Sequence, residues 1–263
     1  MVLGRREQGG AAFAGGDPHE RVRPDAVTTD WQAWHRDYAD PDSPLSRRLE
    51  LVRQEIGRWL DERPGRALTA VSACAGQGHD LIGVLAGRDD AARVRATLVE
   101  YDPGNVAAAR AAAAGLDTVT VLRADAGKLA SYVGAVPADL VLMVGVFGNV
   151  PDFDVRRTVH ALPQLCAPDA TVVWTRSRRA PDRTPALRRW LREAGFQERA
   201  FHAPHDVLFS VGVHRLTGSP RPLDPAGELF RFHPGGPAQT SPRAEPSTDS
   251  APLDTGVLHP YSK

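Results

Sequence analysis

The chain has few cysteines, very little lysine and no long apolar segment. Cys74 and Cys166 are its two cysteines in 263 residues, which is too few for a disulfide framework or a cysteine-based zinc site and fits a reducing compartment. The first 16 residues contain no continuous apolar stretch of the kind found in signal peptides. The most apolar run, residues 140–150, is too short to cross a bilayer. We therefore expect a soluble, cytoplasmic protein without a membrane partner.

The charges of the chain balance. It has 32 Lys and Arg residues against 32 Asp and Glu residues, and a pI near 7.1. No overall positive field therefore draws it to nucleic acid or to an anionic membrane, which leaves only binding through a local patch. Lysine occurs only at Lys128 and Lys263. Together with the abundant alanine, this is typical of a GC-rich bacterial genome, so the number of arginines is not interpreted as function.

Both ends of the chain are predicted to be tails. Residues 1–28 are rich in Gly, Arg, Ala and Asp and have no apolar period, which predicts a flexible N-terminal tail. Residues 217–263 combine many prolines with Ser, Thr and Gly, which predicts a second tail. Three apolar side chains in it, Leu229, Phe230 and Phe232, predict that this tail is partly docked on the folded domain.

A helix is predicted from the sequence that follows residue 43. Ser43 is a natural N-cap and Pro44 occupies the first helical position. Apolar residues then recur at steps of four and three, as one face of a helix requires: Leu45, Leu49, Val52, Ile56 and Trp59. We place this amphipathic helix in an N-terminal helical cap, residues 29–66.

The central part of the sequence alternates between strand-like and helix-like patterns. Near-continuous apolar runs, each followed by helix-like sequence, predict parallel strands buried on both faces: residues 67–73, 96–100, 119–124, 139–146 and 171–175. Two last runs, 196–203 and 207–216, are only three residues apart, which predicts an antiparallel hairpin at the sheet edge. The predicted fold class is α/β, a seven-stranded doubly wound sheet, mostly parallel with a C-terminal antiparallel hairpin and helices on both faces.

The loop CAGQG, residues 74–78, follows the first predicted strand. Ligands bind at the carboxyl ends of strands in doubly wound sheets, where glycines admit close approach to the backbone. A Gly-x-Gly also occurs in ordinary strand-to-helix turns, so the loop alone admits both interpretations. Glu100 ends the second predicted strand, 22 residues after Gly78, where a carboxylate can accept both hydrogen bonds of a ribose diol. A solvated acid at a strand end is the alternative, and the two features together favour a nucleoside.

The sequence argues against two nucleotide classes. A nicotinamide fingerprint needs a small residue three places after the second glycine, and that position holds the bulky Leu81. The chain also contains no G-x-x-x-x-G-K-[ST] sequence, which argues against a P-loop nucleotide site.

Residues 67–216 resemble the class I S-adenosylmethionine-dependent methyltransferases, which have a Rossmann-like fold. Their first strand usually ends in an acid, a spacer and a Gly-x-Gly-x-Gly loop, and SACAGQG matches this with Ser72 in place of the acid and Cys74 in place of the first glycine. The resemblance implies S-adenosyl-L-methionine as cofactor, with S-adenosyl-L-homocysteine as product. It also implies cofactor contacts along the loop: Ser72, Ala73, Cys74, Gly76 and Gly78.

Three later motifs resemble the same family. VEYDP implies that Glu100 is the ribose ligand and that Tyr101 flanks the adenine. RADAG implies that Asp125 contacts the adenine amino group and Ala126 the ring edge. ADLVLMVGVFGNVPD resembles the fourth motif, a strand whose end reaches both cofactor and substrate, and adds Gly145 to the predicted cofactor contacts.

The loop after the fourth predicted strand is the first candidate for substrate contacts. Phe147 is predicted to wall the pocket and Asn149 to make one orienting hydrogen bond. Methyltransferases that modify base amino groups usually carry an Asn/Asp-Pro-Pro-aromatic run here, and NVPD does not match it. Nucleic acid is therefore not the expected partner.

An aromatic segment before the helix is the second candidate. On a helix, Trp31, Trp34, His35 and Tyr38 share a broad face. In related small-molecule methyltransferases, such a segment often folds over the cofactor as a lid, and a stripe packed on the core is the alternative. We predict Trp31 and Trp34 as substrate contacts, and His35 and Tyr38 as the groups that transfer a proton.

The predicted function is methyl transfer from S-adenosylmethionine to a small-molecule acceptor, in bacterial secondary metabolism. No spacing typical of metal ligands links the histidines, so no metal is expected. One alternative is a nucleic-acid or protein methyltransferase that uses the basic cluster Arg176–Arg192, a cluster that we interpret first as a solvated helix face. The other is a non-catalytic S-adenosylmethionine-binding protein, suggested by the altered first motif.

Overall fold

A seven-stranded sheet organises the part of the chain that the structure, a computed structural model, describes, residues 40–231. The predicted lid and Phe232 lie outside these residues. In the sheet order β3-β2-β1-β4-β5-β7-β6, all neighbours are parallel except that β7 runs antiparallel to β5 and β6. The strands are β1 Leu68–Ala73, β2 Val94–Glu100, β3 Val119–Arg123, β4 Ala138–Met143, β5 Cys166–Ser177, β6 Phe196–His202 and β7 Phe209–Leu216. The predicted fold class and the terminal hairpin are confirmed.

Helices cover both faces of the sheet. They are α1 Pro44–Asp61, α2 Leu81–Leu85, α3 Pro103–Ala112, α4 Asp152–Ala161 and α5 Thr184–Glu193, with short 3-10 turns at Ala91–Arg93, Leu129–Tyr132 and Leu162–Gln164. Residues of α1, α2 and α3 pack in one apolar core on one face, and residues of α4 and α5 pack in a second core on the other. Strand residues contribute alternately to both cores, as a sheet buried on both sides requires.

The start of α1 has the predicted cap. The Ser43 hydroxyl accepts a hydrogen bond from the Ser46 backbone N–H at 3.1 Å, and Pro44 is the first helical residue. Val52, Ile56 and Trp59 are buried against the sheet. This helix is therefore one of the layers that cover the sheet.

Among the predicted elements whose ends differ in the structure are the fourth strand and the helix after the glycine loop. β4 stops at Met143 rather than at residue 146, because Gly145 has a φ of +76°, which no strand continues through. The helix after the glycine loop is only five residues long and begins at Leu81, whose N–H is bonded by the Asp80 carboxylate at 2.7 Å. The N-cap residue Asp80 therefore satisfies one of the backbone N–H groups at the start of this helix, and that group is not available to a ligand.

The topology defines one crevice at the carboxyl edge of the sheet. β1 and β4 are neighbours, but the chain leaves β1 towards β2 and β3 and leaves β4 towards β5, in the opposite direction. Such a switch point separates the loops that follow the two strands and is where open α/β sheets bind ligands. Within residues 40–231, no helix has both the length and the apolar content that crossing a membrane requires.

Candidate functional site

Glu100 is at the centre of the loops on the first side of the crevice. It ends β2, and its side chain is 8% exposed. One carboxylate oxygen, Oε2, accepts the Gly76 N–H at 2.7 Å, and the other, Oε1, accepts the N–H groups of Tyr101 and Asp102 at 2.9 and 2.8 Å. Each carboxylate oxygen can accept two hydrogen bonds. Oε2 therefore has capacity for a further donor, such as a ribose hydroxyl.

The glycine loop has a backbone that few residues other than glycine adopt. Cys74, Gly76 and Gly78 have φ angles of +51°, +56° and +75°. A Cβ on Gly78 would lie 2.4 Å from Ile82 Cδ1 and 2.9 Å from Leu98 Cδ2, so glycine is required there for space as well as for conformation. The loop thus presents backbone beside Glu100.

Burial of Cys74, together with the nearby Glu100 and Asp125 carboxylates, raises the pKa of its thiol well above the ordinary value. The thiol is therefore neutral, which argues against a nucleophile, since only the thiolate is one. Before it, Ser72 and Ala73 end β1 and are each 1% exposed. Their side chains are packed within the sheet, so a ligand would reach the backbone of this strand end first.

The loop after β3 carries two further predicted contacts. The side chain of Asp125 is exposed and accepts the Gly127 N–H at 2.9 Å, while Ala126 is buried and its carbonyl accepts the Tyr132 hydroxyl at 2.8 Å. Tyr101, after β2, is 70% exposed. Asp125 and Tyr101 are thus free to contact a ligand on the same side of the crevice as Glu100.

Residues 227–231, which we call the C-terminal strap, pack against the loop after β3. The Leu229 N–H donates to the Gly127 carbonyl at 2.7 Å, and Leu229 and Phe230 are buried. The Leu229 carbonyl accepts the Thr158 hydroxyl of α4 at 2.6 Å. A Cβ on Gly127 would lie 2.2 Å from the Phe230 carbonyl oxygen. Sequence reasoning did not find this role of Gly127, because the strap is about 100 residues away along the chain.

The loop after β4 forms the other side of the crevice. The Gly145 N–H donates to the Thr175 hydroxyl of β5 at 2.8 Å, and the Asn149 amide donates to the Gly145 carbonyl at 2.6 Å. Phe147 is fully buried, with its ring centroid 6.4 Å from that of Trp174. The loop is therefore fixed by its own contacts, and Phe147 supports it from the core.

The basic cluster does not form a single helix face. α5 begins only at Thr184, whereas Arg176 belongs to β5 and Arg178 follows it. Arg178 donates to the backbone carbonyls of Pro204, Val207 and Phe209. The interpretation of these arginines as a solvated helix face is wrong for Arg176 and Arg178, because the strand extends two residues beyond the predicted end at residue 175.

A polar depression at the opposite, amino edge of the sheet is a weaker candidate. It lies away from the switch point. Its charged side chains pair with one another, Arg215 with Asp169 at 2.7 Å, Arg66 with Asp139 at 3.6 Å and Arg63 with Glu62 at 3.4 Å, so their charges cancel. No three His, Cys, Asp or Glu side chains among residues 40–231 are grouped as metal ligands would be. The crevice at the carboxyl edge is therefore the candidate site.

The predicted aromatic lid cannot be placed in this site. Trp31, Trp34, His35 and Tyr38 lie outside the described residues, so their predicted roles stay predictions. The structure does bring together the loops that carry the predicted cofactor contacts after β1, β2, β3 and β4.

Comparisons with known proteins agree with the architecture. No family model matches the chain, and no curated protein matches it significantly. Among solved structures, a possible exported protein from Bordetella parapertussis is similar with 21% identity and a TM-score of 0.58, covering 72% of this chain and 79% of its own. Magnesium protoporphyrin IX methyltransferase from Synechocystis PCC 6803, solved with S-adenosylmethionine, has 15% identity, a TM-score of 0.54, and coverage of 72% and 91%.

A third similar structure is the N-methyltransferase NodS from Bradyrhizobium japonicum WM9 in complex with S-adenosylhomocysteine. It has 17% identity and a TM-score of 0.53, and the match covers 72% of this chain and 98% of that one. At these identities the likeness establishes the fold alone, a seven-stranded Rossmann-like sheet that this chain shares with the two methyltransferases.

Proposed function

We propose that the chain is an S-adenosylmethionine-dependent methyltransferase with a small-molecule acceptor. The observation that carries this proposal is the position of the nearly buried Glu100 carboxylate at the carboxyl end of β2, next to the switch point and between the glycine loop and the exposed Tyr101. A sugar hydroxyl can donate to Oε2 there, while Asp125 lies in the next loop for a base amino group. Two of the similar solved structures contain S-adenosylmethionine or S-adenosylhomocysteine, which supports the same assignment.

The residues present fit this cofactor in size and polarity. The backbone of the glycine loop can approach the ligand closely, and the Glu100 and Asp125 carboxylates beside Cys74 provide negative charge towards a cationic ligand. Ala126 and Gly145 are small residues on either side of the crevice. We assign cofactor binding to the predicted set: Ser72, Ala73, Cys74, Gly76, Gly78, Glu100, Tyr101, Asp125, Ala126 and Gly145.

When bound, S-adenosylmethionine supplies an activated methyl group on a sulfonium. The protein then has to hold the acceptor's nucleophilic atom about 3 Å from the methyl carbon, in line with the leaving sulfur, and to exclude water. We propose that the loop after β4, which is held by the bonds of Gly145 with Thr175 and Asn149, orients the acceptor. We retain Trp31 and Trp34 as proposed acceptor contacts, and His35 and Tyr38 as proposed proton-transfer groups.

The arginine cluster favours a small acceptor over a nucleic acid. Arg188 forms a bidentate pair with Glu198 at 2.6 and 2.7 Å, and Arg178 is bonded to backbone carbonyls. These side chains already have partners and are poorly placed to follow a phosphate backbone.

A role in bacterial secondary metabolism and a cytoplasmic location are part of the proposal.

Calorimetry with S-adenosylhomocysteine tests the proposed function. We expect saturable one-to-one binding by the full chain, and a loss of about 1 to 3 kcal/mol in binding free energy for Glu100→Ala, the usual cost of unpaired groups in a site. Because alanine also leaves the Gly76 and Tyr101 N–H groups without Glu100 as acceptor, Glu100→Gln is measured beside it. Its amide oxygen can replace one carboxylate oxygen, and we expect a smaller loss.

The matched control is Glu50→Gln, an exposed acid on α1, for which affinity should stay unchanged. Thermal melts of all variants separate loss of affinity from loss of fold. The proposal is rejected if the wild-type chain does not bind S-adenosylhomocysteine, or if both Glu100 variants bind it as tightly as the wild type.

A further inference from the structure

Arg176 lies at the end of the sheet where the acceptor is proposed to bind. Met143 of β4 pairs with Trp174 of β5, so Gly145 and Arg176, two residues further along each strand, both lie beyond that pair. The bond from the Gly145 N–H to the Thr175 hydroxyl joins the two segments directly. Arg176 is therefore next to the loop after β4.

The guanidinium of Arg176 is only partly satisfied. Its side chain is 11% exposed, and Nη2 donates to Asp152 Oδ1 at 2.8 Å. Its other terminal nitrogen, Nη1, is buried and has no hydrogen-bond partner among residues 40–231. Leaving a buried N–H of a charged group unpaired is costly, and such groups in folded proteins call for an explanation. A ligand that accepts from Nη1 provides one.

Charge around Asp152 favours an anion as that ligand. Arg183 Nε also contacts Asp152, through Oδ2 at 3.1 Å, so one carboxylate is shared by two guanidinium groups. Residues 176–183 contain four arginines and one acid, Asp182, and Asp152 adds a second negative charge. A net positive charge of about two remains beside the crevice, where carboxylates and phosphates are bound by the planar fork of arginine.

We propose that Arg176 and Arg183 form a binding site for an anionic group, a carboxylate or a phosphate, on the methyl acceptor. This inference rests on the proposed function, since it names the acceptor class of the same site. Asp152 orients both side chains, because each of its carboxylate oxygens pairs with one of them. Arg176 Nη1 is the donor that we assign to the anionic group of the acceptor. The paired acid keeps the site from being so basic that it would capture any anion.

The test measures binding of simple anions to the full chain saturated with S-adenosylhomocysteine. Inorganic phosphate and sodium benzoate are titrated at low ionic strength, with benzamide as the neutral match of benzoate. We expect saturable binding of phosphate or benzoate, and at least tenfold weaker binding of benzamide. Which of the two anions binds more tightly distinguishes a phosphate from a carboxylate site.

Three variants locate the site. Arg176→Gln and Arg183→Gln should each weaken anion binding at least fivefold, and Arg183 is 50% exposed, so its replacement leaves the core intact. Arg189→Gln is the matched control, because Arg189 is an exposed arginine of α5 whose one ion pair within the described part of the chain is with Glu193, at 3.6 Å. Its anion affinity should stay at the wild-type value.

The outcomes separate this inference from the proposed function. Retained S-adenosylhomocysteine binding without anion binding, or equal losses in all three variants, overturns the inference and leaves the proposed function standing. Absence of S-adenosylhomocysteine binding rejects the proposed function itself. Titration with a mixed transfer RNA serves as a last arm: tight, strongly salt-dependent binding that Arg189→Gln weakens as much as Arg176→Gln would indicate a nucleic-acid surface and overturn the inference.

Discussion

The two sides of the crevice are built with opposite charges. On the side of β1, β2 and β3, carboxylates accept hydrogen bonds from loop backbone: Asp80 from Leu81, Glu100 from Gly76, Tyr101 and Asp102, Asp102 from Asn105, and Asp125 from Gly127. On the side of β4 and β5, arginines donate to Asp152 and to backbone carbonyls. The same fold thus orders its loops with acids on one side and with bases on the other.

This difference suits two different ligands. A nucleoside with hydroxyl donors and a positive sulfonium matches the acidic side, and an anionic acceptor matches the basic side. The electrostatic potential would then attract a cationic cofactor to one side and an anionic acceptor to the other, so that the two bind next to each other. We therefore expect substitutions on the acidic side to affect cofactor binding, and substitutions on the basic side to affect acceptor binding, each separably from stability.

The largest expected effect comes from two glycines with the same backbone angle, one on each side. Gly78 has a φ of +75° and Gly145 a φ of +76°. Gly78→Ala adds a Cβ against Ile82 and Leu98, whereas no heavy atom of the described residues lies within 4 Å of the same position at Gly145. We expect Gly78→Ala to lower the free energy of unfolding by about 3 to 4 kcal/mol, from the left-handed backbone and overpacking together.

Gly145→Ala has the backbone cost alone, about 1 to 2 kcal/mol. Urea unfolding followed by circular dichroism measures both. Gly145→Ala should nevertheless weaken S-adenosylhomocysteine binding, because its methyl group enters the crevice. Equal destabilisation by the two substitutions would contradict the packing found at Gly78.

The second prediction concerns a buried histidine on the basic side. His214 of β7 is fully buried, and its Nδ1 lies 3.1 Å from Trp174 Nε1. Because the indole is only a donor, Nδ1 is the acceptor and the proton is on Nε2, 3.6 Å from Glu198 Oε2. Burial lowers the pKa of His214 to about 4, against the opposing effect of Glu198. The folded protein therefore holds this ring neutral.

A lowered pKa for a base makes stability depend on pH in one direction. The unfolded chain binds a proton on this ring below about pH 6.5 and the folded chain only near pH 4, so the stability is fully present above pH 6.5 and is lost as the pH falls towards 4. We expect a loss of roughly 2 to 3 kcal/mol across that interval. The free energy of unfolding of the wild type and of His214→Gln is measured in urea at pH 7 and pH 4.5, and the difference between the two proteins isolates the contribution of His214. The same change with pH in both proteins would refute the prediction.

Local patterns were enough to predict the sheet. The three-residue gap after residue 203 leaves no room for a crossover, so the hairpin of β6 and β7 followed from chain length alone. Ser43 and Pro44 likewise fix the start of α1 through contacts within one turn. Burial on both faces made the central strands β1 and β4 apolar, a pattern that is visible without knowing the strand order, whereas in the edge strand β3 only Val121 is buried.

Features that join distant segments were not predictable in the same way. The spacing after the glycine loop, and then the resemblance to a family, suggested Glu100 as a ribose ligand, but its bond to the Gly76 N–H depends on β1 and β2 being neighbours. The contact of Arg176 with Asp152 requires β5 to end beside α4, and the packing of Gly127 requires the strap. None of these pairs is encoded by a local period, and the roles predicted for individual site residues remain predictions.

The smallest expected effect tests whether an acid on the first side orders a helix as well as a loop. Asp102 is the N-cap of α3, and its side chain accepts the Asn105 N–H at 2.8 Å. Asp102→Ala removes that acceptor and should cost about 1 kcal/mol of unfolding free energy. Asp102→Asn keeps an equally good cap without the charge, and should cost only a few tenths of that.

The contrast between the two Asp102 variants also separates the cap from the site. The bond from Asp102 to Glu100 uses the backbone N–H, which both variants retain, so affinity for S-adenosylhomocysteine should change less than about threefold. On the basic side, the N-cap of α4 is Pro151, which makes no side-chain cap bond, so α4 has no equivalent contribution. A large loss of affinity in Asp102→Ala with normal affinity in Asp102→Asn would mean that the cap itself positions Glu100, and that the loops of the acidic side respond to a ligand as one unit.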